Sequence, residues 1–125
     1  DRVIALSSLS FDLSVFDLFA TFSAGATLIV PDAKLEREPG YWRDLISNKA
    51  VTVWNSAPAL MQMMMLYADG RQDIDFSHLR LVLLSGDWIP VDLPDQVKSF
   101  NQKIEMMAVQ NFLNKSSPFQ VFLYL

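Results

Sequence analysis

The most chemically pointed residue of the chain is Asp12, a carboxylate set between Phe11 and Leu13 where a short apolar run gives way to helix-forming sequence. In an open α/β sheet, ligands bind at the carboxyl ends of strands, where such strand-to-helix links lie. An ionised carboxylate in an apolar wall is costly unless a cation pairs with it. The ammonium of a bound amine is such a cation. The same carboxylate can instead cap the helix, accepting from the free amides of the first turn. Leu13 and Phe16 stand one and four places further on. Residues four apart share a helix face, and the next residue is offset by about 100°. One turn can therefore show a carboxylate and two apolar surfaces to a single cavity, or simply feed the core.

Three further positions could join it. Asn55 follows Val53-Trp54 at the end of an apolar run and precedes Ala57-Pro58; its amide can line a cleft or close a turn. Leu83 and Ser85 bracket Leu84 in a strand-like segment, so they point to one face. Gly86, just beyond, lets backbone approach a flat ligand closely. Other conspicuous residues read as structural. Met61, Met63, Met64 and Met65 suit helix core and flank, since Met fills irregular gaps. His78, the single histidine, lies in a polar loop and reads as solvated. Glu36-Arg37-Glu38 reads as an exposed loop, and Trp42 and Trp88 read as packed side chains.

The elements that must position these residues alternate. Val3–Leu6, Ala26–Val30, Val51–Trp54, Leu79–Leu84 and Ile104–Val109 read as strands. Between them, helices are expected from a cap at Asp12 or Ser14 to Gly25, from about Tyr41 to Asn48, from Ala57 to near Gly70, and near Leu93 to Phe100. Gly25 suits a left-handed helix end, Pro58 suits a helix start, and Pro39 precedes the helix at Tyr41. Strands alternating with helices predict an α/β fold with a mostly parallel sheet.

Composition narrows the function. At 125 residues and 51% hydrophobic, the chain can bury a core. A formal net charge of −4 with scattered basic residues argues against a nucleic-acid partner. With no cysteine there is no disulfide framework or thiolate metal site, a composition that fits the cytoplasm. No apolar run reaches the roughly 18–20 residues of a membrane span. An opening at Asp1 rather than Met suggests a piece of a longer protein.

Three blocks taken together, Phe11–Asp17, Val51–Pro58 and Leu81–Trp88, resemble the middle of an amino-acid adenylation domain of nonribosomal peptide synthetases, part of the N-terminal subdomain of the adenylate-forming fold. Phe11-Asp12-Leu13-Ser14 matches that family's Phe-Asp-x-Ser motif at every fixed position. The resemblance implies that Asp12 holds the substrate's α-amino group and that Leu13, Phe16, Asn55, Leu83 and Ser85 shape the side-chain pocket. It places the turn at Gly86 beside the adenine. The implied reaction joins an amino acid to ATP, with Mg, giving an aminoacyl-adenylate and pyrophosphate, and the implied partner is a carrier-protein domain. The pocket set resembles that of cysteine-activating domains, which carry Tyr where Phe16 stands.

The resemblance covers Asp1 to about Val109. The Gly-rich turn and Thr-Glu pair expected next are not matched by Gln110–Ser117, so 110–125 reads as a divergent or out-of-frame tail. The phosphate loop and catalytic lysine of the family have no match either. These 125 residues alone are therefore expected to be inactive. The rival readings are an acyl- or aryl-acid ligase fragment of the same superfamily, against which Asp12 argues because such substrates carry no ammonium, and a non-catalytic remnant of a broken gene.

Overall fold

A computed structural model describes the backbone of residues 1–6, 12–110 and 121–124, and the side chains of residues 1–6 and 18–108. The chain alternates as the pattern predicts through β1 (Arg2–Ala5), α1 (Asp12–Ser23), β2 (Thr27–Ile29), α2 (Pro39–Asn48), β3 (Val53–Ser56), α3 (Pro58–Ala68), β4 (Leu81–Ser85), α4 (Leu93–Phe100) and β5 (Glu105–Gln110); a sixth strand, β6 (Val121–Tyr124), follows in the segment where the pattern predicts none. The strands form one sheet in the order β2-β1-β3-β4-β5-β6. The first five are parallel, and β6 runs antiparallel to β5 at the edge.

Local chemistry sets the helix ends. Gly25 is left-handed, with φ 65°. Its N–H donates to the Phe22 carbonyl at 3.0 Å, and the Ala26 N–H donates to the Thr21 carbonyl at 2.9 Å. These are the paired bonds of a Schellman end, which satisfy carbonyls the helix cannot. Pro39 and Pro58 each open their helix, where the missing N–H has no intrahelical use.

The strand order reverses direction at β1. From β1 the chain moves outward to β2, then crosses back over to β3 and continues to β4 and β5. Right-handed crossovers therefore put α1 on one face of the sheet and α2, α3 and α4 on the other. The packing agrees: α2 contacts α3, α3 contacts α4, and α1 contacts β1 and β2. On the three-helix face, Trp42 and Ile46 of α2, Met61, Met64 and Met65 of α3, and Leu93 and Val97 of α4 cover Ile4, Trp54, Val82, Leu84 and Met106. The opposite face has a smaller cluster of Val3, Val53 and Leu83, flanked by Leu28, Leu81 and Met107.

Beyond that smaller cluster the surface is apolar. Phe19 and Phe22 of α1 are 69% and 63% exposed, and Val30, just past the edge strand β2, is 70% exposed. Exposed aromatic surface next to a sheet edge favours association. The purified 125-residue chain is expected to form soluble oligomers or aggregates at micromolar concentration. Sedimentation velocity checks this, and a single monomeric boundary would contradict it. No helix among the described residues is long and apolar enough to cross a membrane.

Candidate functional site

A reversal of strand order opens a crevice at the strands' carboxyl ends, because the two flanking connections leave on opposite faces. Here the crevice lies between β1 and β3. Register fixes what borders it. Ala5 pairs with Asn55, Asn55 with Leu83, and Leu83 with Met107, a continuous row across β1, β3, β4 and β5. One step further along, Ser85 pairs with Val109. Alternation places Asn55, Leu83 and Ser85 on the face opposite the three-helix layer. All three are buried. The Ser85 hydroxyl has no hydrogen-bond partner among the described residues. Buried polar groups are normally partnered, so such a hydroxyl marks a place where a ligand can bond.

β3 is buried along its whole length, an unusual environment for a segment reading Val-Trp-Asn-Ser. The expected strand ended at Trp54 and left Asn55 in the turn. Instead pairing starts at Val53 and runs through Ser56, which puts Asn55 inside the strand. The reason lies in side chains. Thr52 is engaged at the amino end, its hydroxyl accepting from the Arg2 N–H and donating to Asp1, each at 2.9 Å. At the carboxyl end, the Trp54 indole N–H donates to the Ser56 hydroxyl at 2.7 Å, so a hydroxyl that would otherwise break the strand is satisfied within it.

The remaining expected site residues divide. Asp12, Leu13 and Phe16 form the start of α1, the first backbone after the link leaving β1's carboxyl end. Topology therefore brings them to the crevice, but their side chains lie outside the described residues. Gly86 follows β4 with φ 89°, a conformation that favours glycine. A Cβ there would meet nothing within 4 Å, so backbone conformation rather than crowding selects glycine. Trp88 does not pack as expected. It is 78% exposed, while its neighbour Ile89 packs against the core. Among the tryptophans read as packed, only Trp42 is buried. The sequence reading also missed Met107, half-buried beside Leu83, and Ser56 behind Asn55. Met107 could have been found only through parallel register.

The sequence model of the family described as AMP-binding enzyme matches residues 1–109. The chain belongs to that family. An adenylation-domain identity is carried further by its relatives. It is 44% identical over 109 residues to the anguibactin system regulator of Vibrio anguillarum, covering 87% of this chain and 10% of that protein. It is 46% identical over 98 residues to pyochelin synthetase PchE of Pseudomonas aeruginosa, covering 78% of this chain and 7% of that protein. Among solved structures it superposes on the nonribosomal peptide synthetase FmoA3, in its alpha-methyl-L-serine-AMP bound form, with a TM-score of 0.89 and 35% identity. That match covers 100% of this chain and 14% of FmoA3. The chain thus spans about a tenth of the length of these relatives, and its α/β sheet is a portion of the fold of FmoA3.

An AMP-binding enzyme implies ATP and magnesium, and the residues here fit them unequally. The turn at Gly86 leaves open space against which a flat base can lie. No group of three or more metal-ligating side chains occurs among the described residues.

Proposed function

We propose that residues 1–109 supply the amino-acid wall of an adenylation domain that joins an amino acid to ATP, releasing pyrophosphate, and that its preferred substrate is cysteine. The carrying observation is the row Asn55, Leu83 and Met107 with Ser85 one step beyond, on one face at the strands' carboxyl ends, where Asn55, Leu83 and Ser85 are buried and Met107 is half-buried. Asp12 is the anchor for the α-ammonium, while Leu13 and Phe16 close the apolar side. Leu83 narrows the cavity and disfavours long charged side chains, whose burial without a partner is costly. Ser85, with no partner among the described residues, and Asn55 offer polar contacts to a thiol or hydroxyl. The FmoA3 form bound to alpha-methyl-L-serine-AMP supports a small substrate on this fold. Residues 110–125 are a divergent tail in this reading. A carrier-protein domain receives the activated amino acid, and the setting is cytoplasmic.

The test is FmoA3 carrying residues 1–109 of this chain in place of its superposed segment. Amino-acid-dependent exchange of labelled pyrophosphate into ATP is measured with all twenty amino acids. Cysteine is expected to lead serine and alanine by roughly 10-fold or more, in line with about 1–3 kcal/mol per small side-chain difference. The isolated 125-residue chain is the control and is expected to give none. A preference for a bulky aromatic or charged amino acid would overturn the cysteine assignment.

A further inference from the structure

We infer that Ser56 and the indole of Trp54 form a positioning couple that holds Asn55 toward the amino-acid pocket from the opposite face of the sheet. The inference rests on the reading of Asn55 as a pocket residue. Trp54 and Ser56 flank Asn55 in β3, so alternation puts both on the three-helix face while Asn55 points the other way. Neither can touch a ligand bound at Asn55. Each acts only through the backbone they share with it.

That backbone is held by a continuous series of contacts. The Trp42 indole N–H donates to the Glu36 carbonyl at 3.0 Å. The Trp42 ring meets the Trp54 ring edge-on, with centroids 5.7 Å apart. The Trp54 N–H donates to the Ser56 hydroxyl at 2.7 Å, and that hydroxyl donates to the Ala57 carbonyl at 2.8 Å. Trp42, Trp54 and Ser56 are all fully buried. A side-chain bond from residue 54 to residue 56 bridges the peptide unit that carries Asn55. The bond onward to Ala57 fixes the exit into Pro58, the first residue of α3. A strand end is where backbone most easily frays. Here it is clamped at the residue whose amide must be placed to within a fraction of an ångström for a polar contact to discriminate.

A merely structural role has a competing explanation for any loss: Ser56→Ala alone leaves a buried indole N–H without a partner, which destabilises the fold. The double substitution Trp54→Phe with Ser56→Ala removes the donor together with the acceptor, so no group is left orphaned, but the clamp is gone. The experiment uses FmoA3 carrying residues 1–109, with cysteine, serine and ATP as probes. The double variant is expected to regain most of the melting temperature lost in Ser56→Ala. Its KM for cysteine is expected to stay raised by about 3- to 10-fold, the loss of one well-placed hydrogen bond. The KM for ATP should be unchanged, kcat nearly so, and the cysteine-over-serine preference reduced. Ser56→Thr keeps the hydroxyl and is expected to restore the amino-acid KM.

A double variant that is stable and binds cysteine with an unchanged KM would overturn the inference and leave the pocket assignment standing. If the unsubstituted chimera activates no amino acid, or if Asn55→Ala leaves the amino-acid KM unchanged, the pocket reading fails and takes the inference with it.

Discussion

Asp12→Ala in FmoA3 carrying residues 1–109 is expected to lower amino-acid-dependent pyrophosphate exchange by about two to three orders of magnitude. The size follows from the proposed ion pair. Removing one partner of a poorly solvated ion pair typically costs about 3–5 kcal/mol, since it leaves the other charge uncompensated, and every 1.4 kcal/mol or so is tenfold. The rival role of Asp12, at the first residue of α1, is capping. Loss of a cap typically costs about 1 kcal/mol of stability. Asp12→Asn separates the two roles. Asn caps helices about as well as Asp but presents no charge to an ammonium. If the carboxylate is the anchor, Asp12→Asn falls nearly as far as Asp12→Ala while its melting temperature holds. Full exchange activity in Asp12→Asn would return Asp12 to a capping role.

The sequence made the element types readable because each boundary has a local cause. Gly25 and Gly86 are both left-handed, Pro39 and Pro58 both open helices, and strand runs of three to six residues sit between them. The helix that was expected to start at about Tyr41 starts at Pro39, where proline's fixed φ suits the first turn. Less was readable where the cause is tertiary. Asn55 and Ser56 look like turn residues because their side chains compete for backbone bonds. They remain in β3 because an indole two residues earlier takes up the Ser56 hydroxyl. The row across the sheet was half legible. Alternation shows that Leu83 and Ser85 share a face. Only strand pairing shows that Met107 extends the row on one side and Asn55 on the other. The order β2-β1-β3, which makes the crevice, has no local signature at all.

The tryptophans show the same division and carry the largest stability effect. Trp42 and Trp88 are alike as residue types, yet one is fully buried and the other 78% exposed. Trp42 sits between α2 and the sheet, edge-on to Trp54, with its N–H bonded to the Glu36 carbonyl. Trp42→Ala removes a large aromatic from a close-packed layer that cannot collapse fully around the gap. Such substitutions cost about 3–5 kcal/mol, against a total of about 5–15 kcal/mol for a typical domain. With a urea dependence of about 1–3 kcal/mol per molar, the midpoint of the 125-residue chain is expected to fall by roughly 2 M. The reading is taken by circular dichroism at a concentration low enough to limit association. Trp88→Ala on the exposed loop should move that midpoint little, since surface changes lie within about 0.5 kcal/mol. The comparison is internal to one chain, so association affects both variants alike. Equal shifts for the two would mean that the three-helix face is not packed around Trp42, and the clamp behind Asn55 would then lose the support from which it is built.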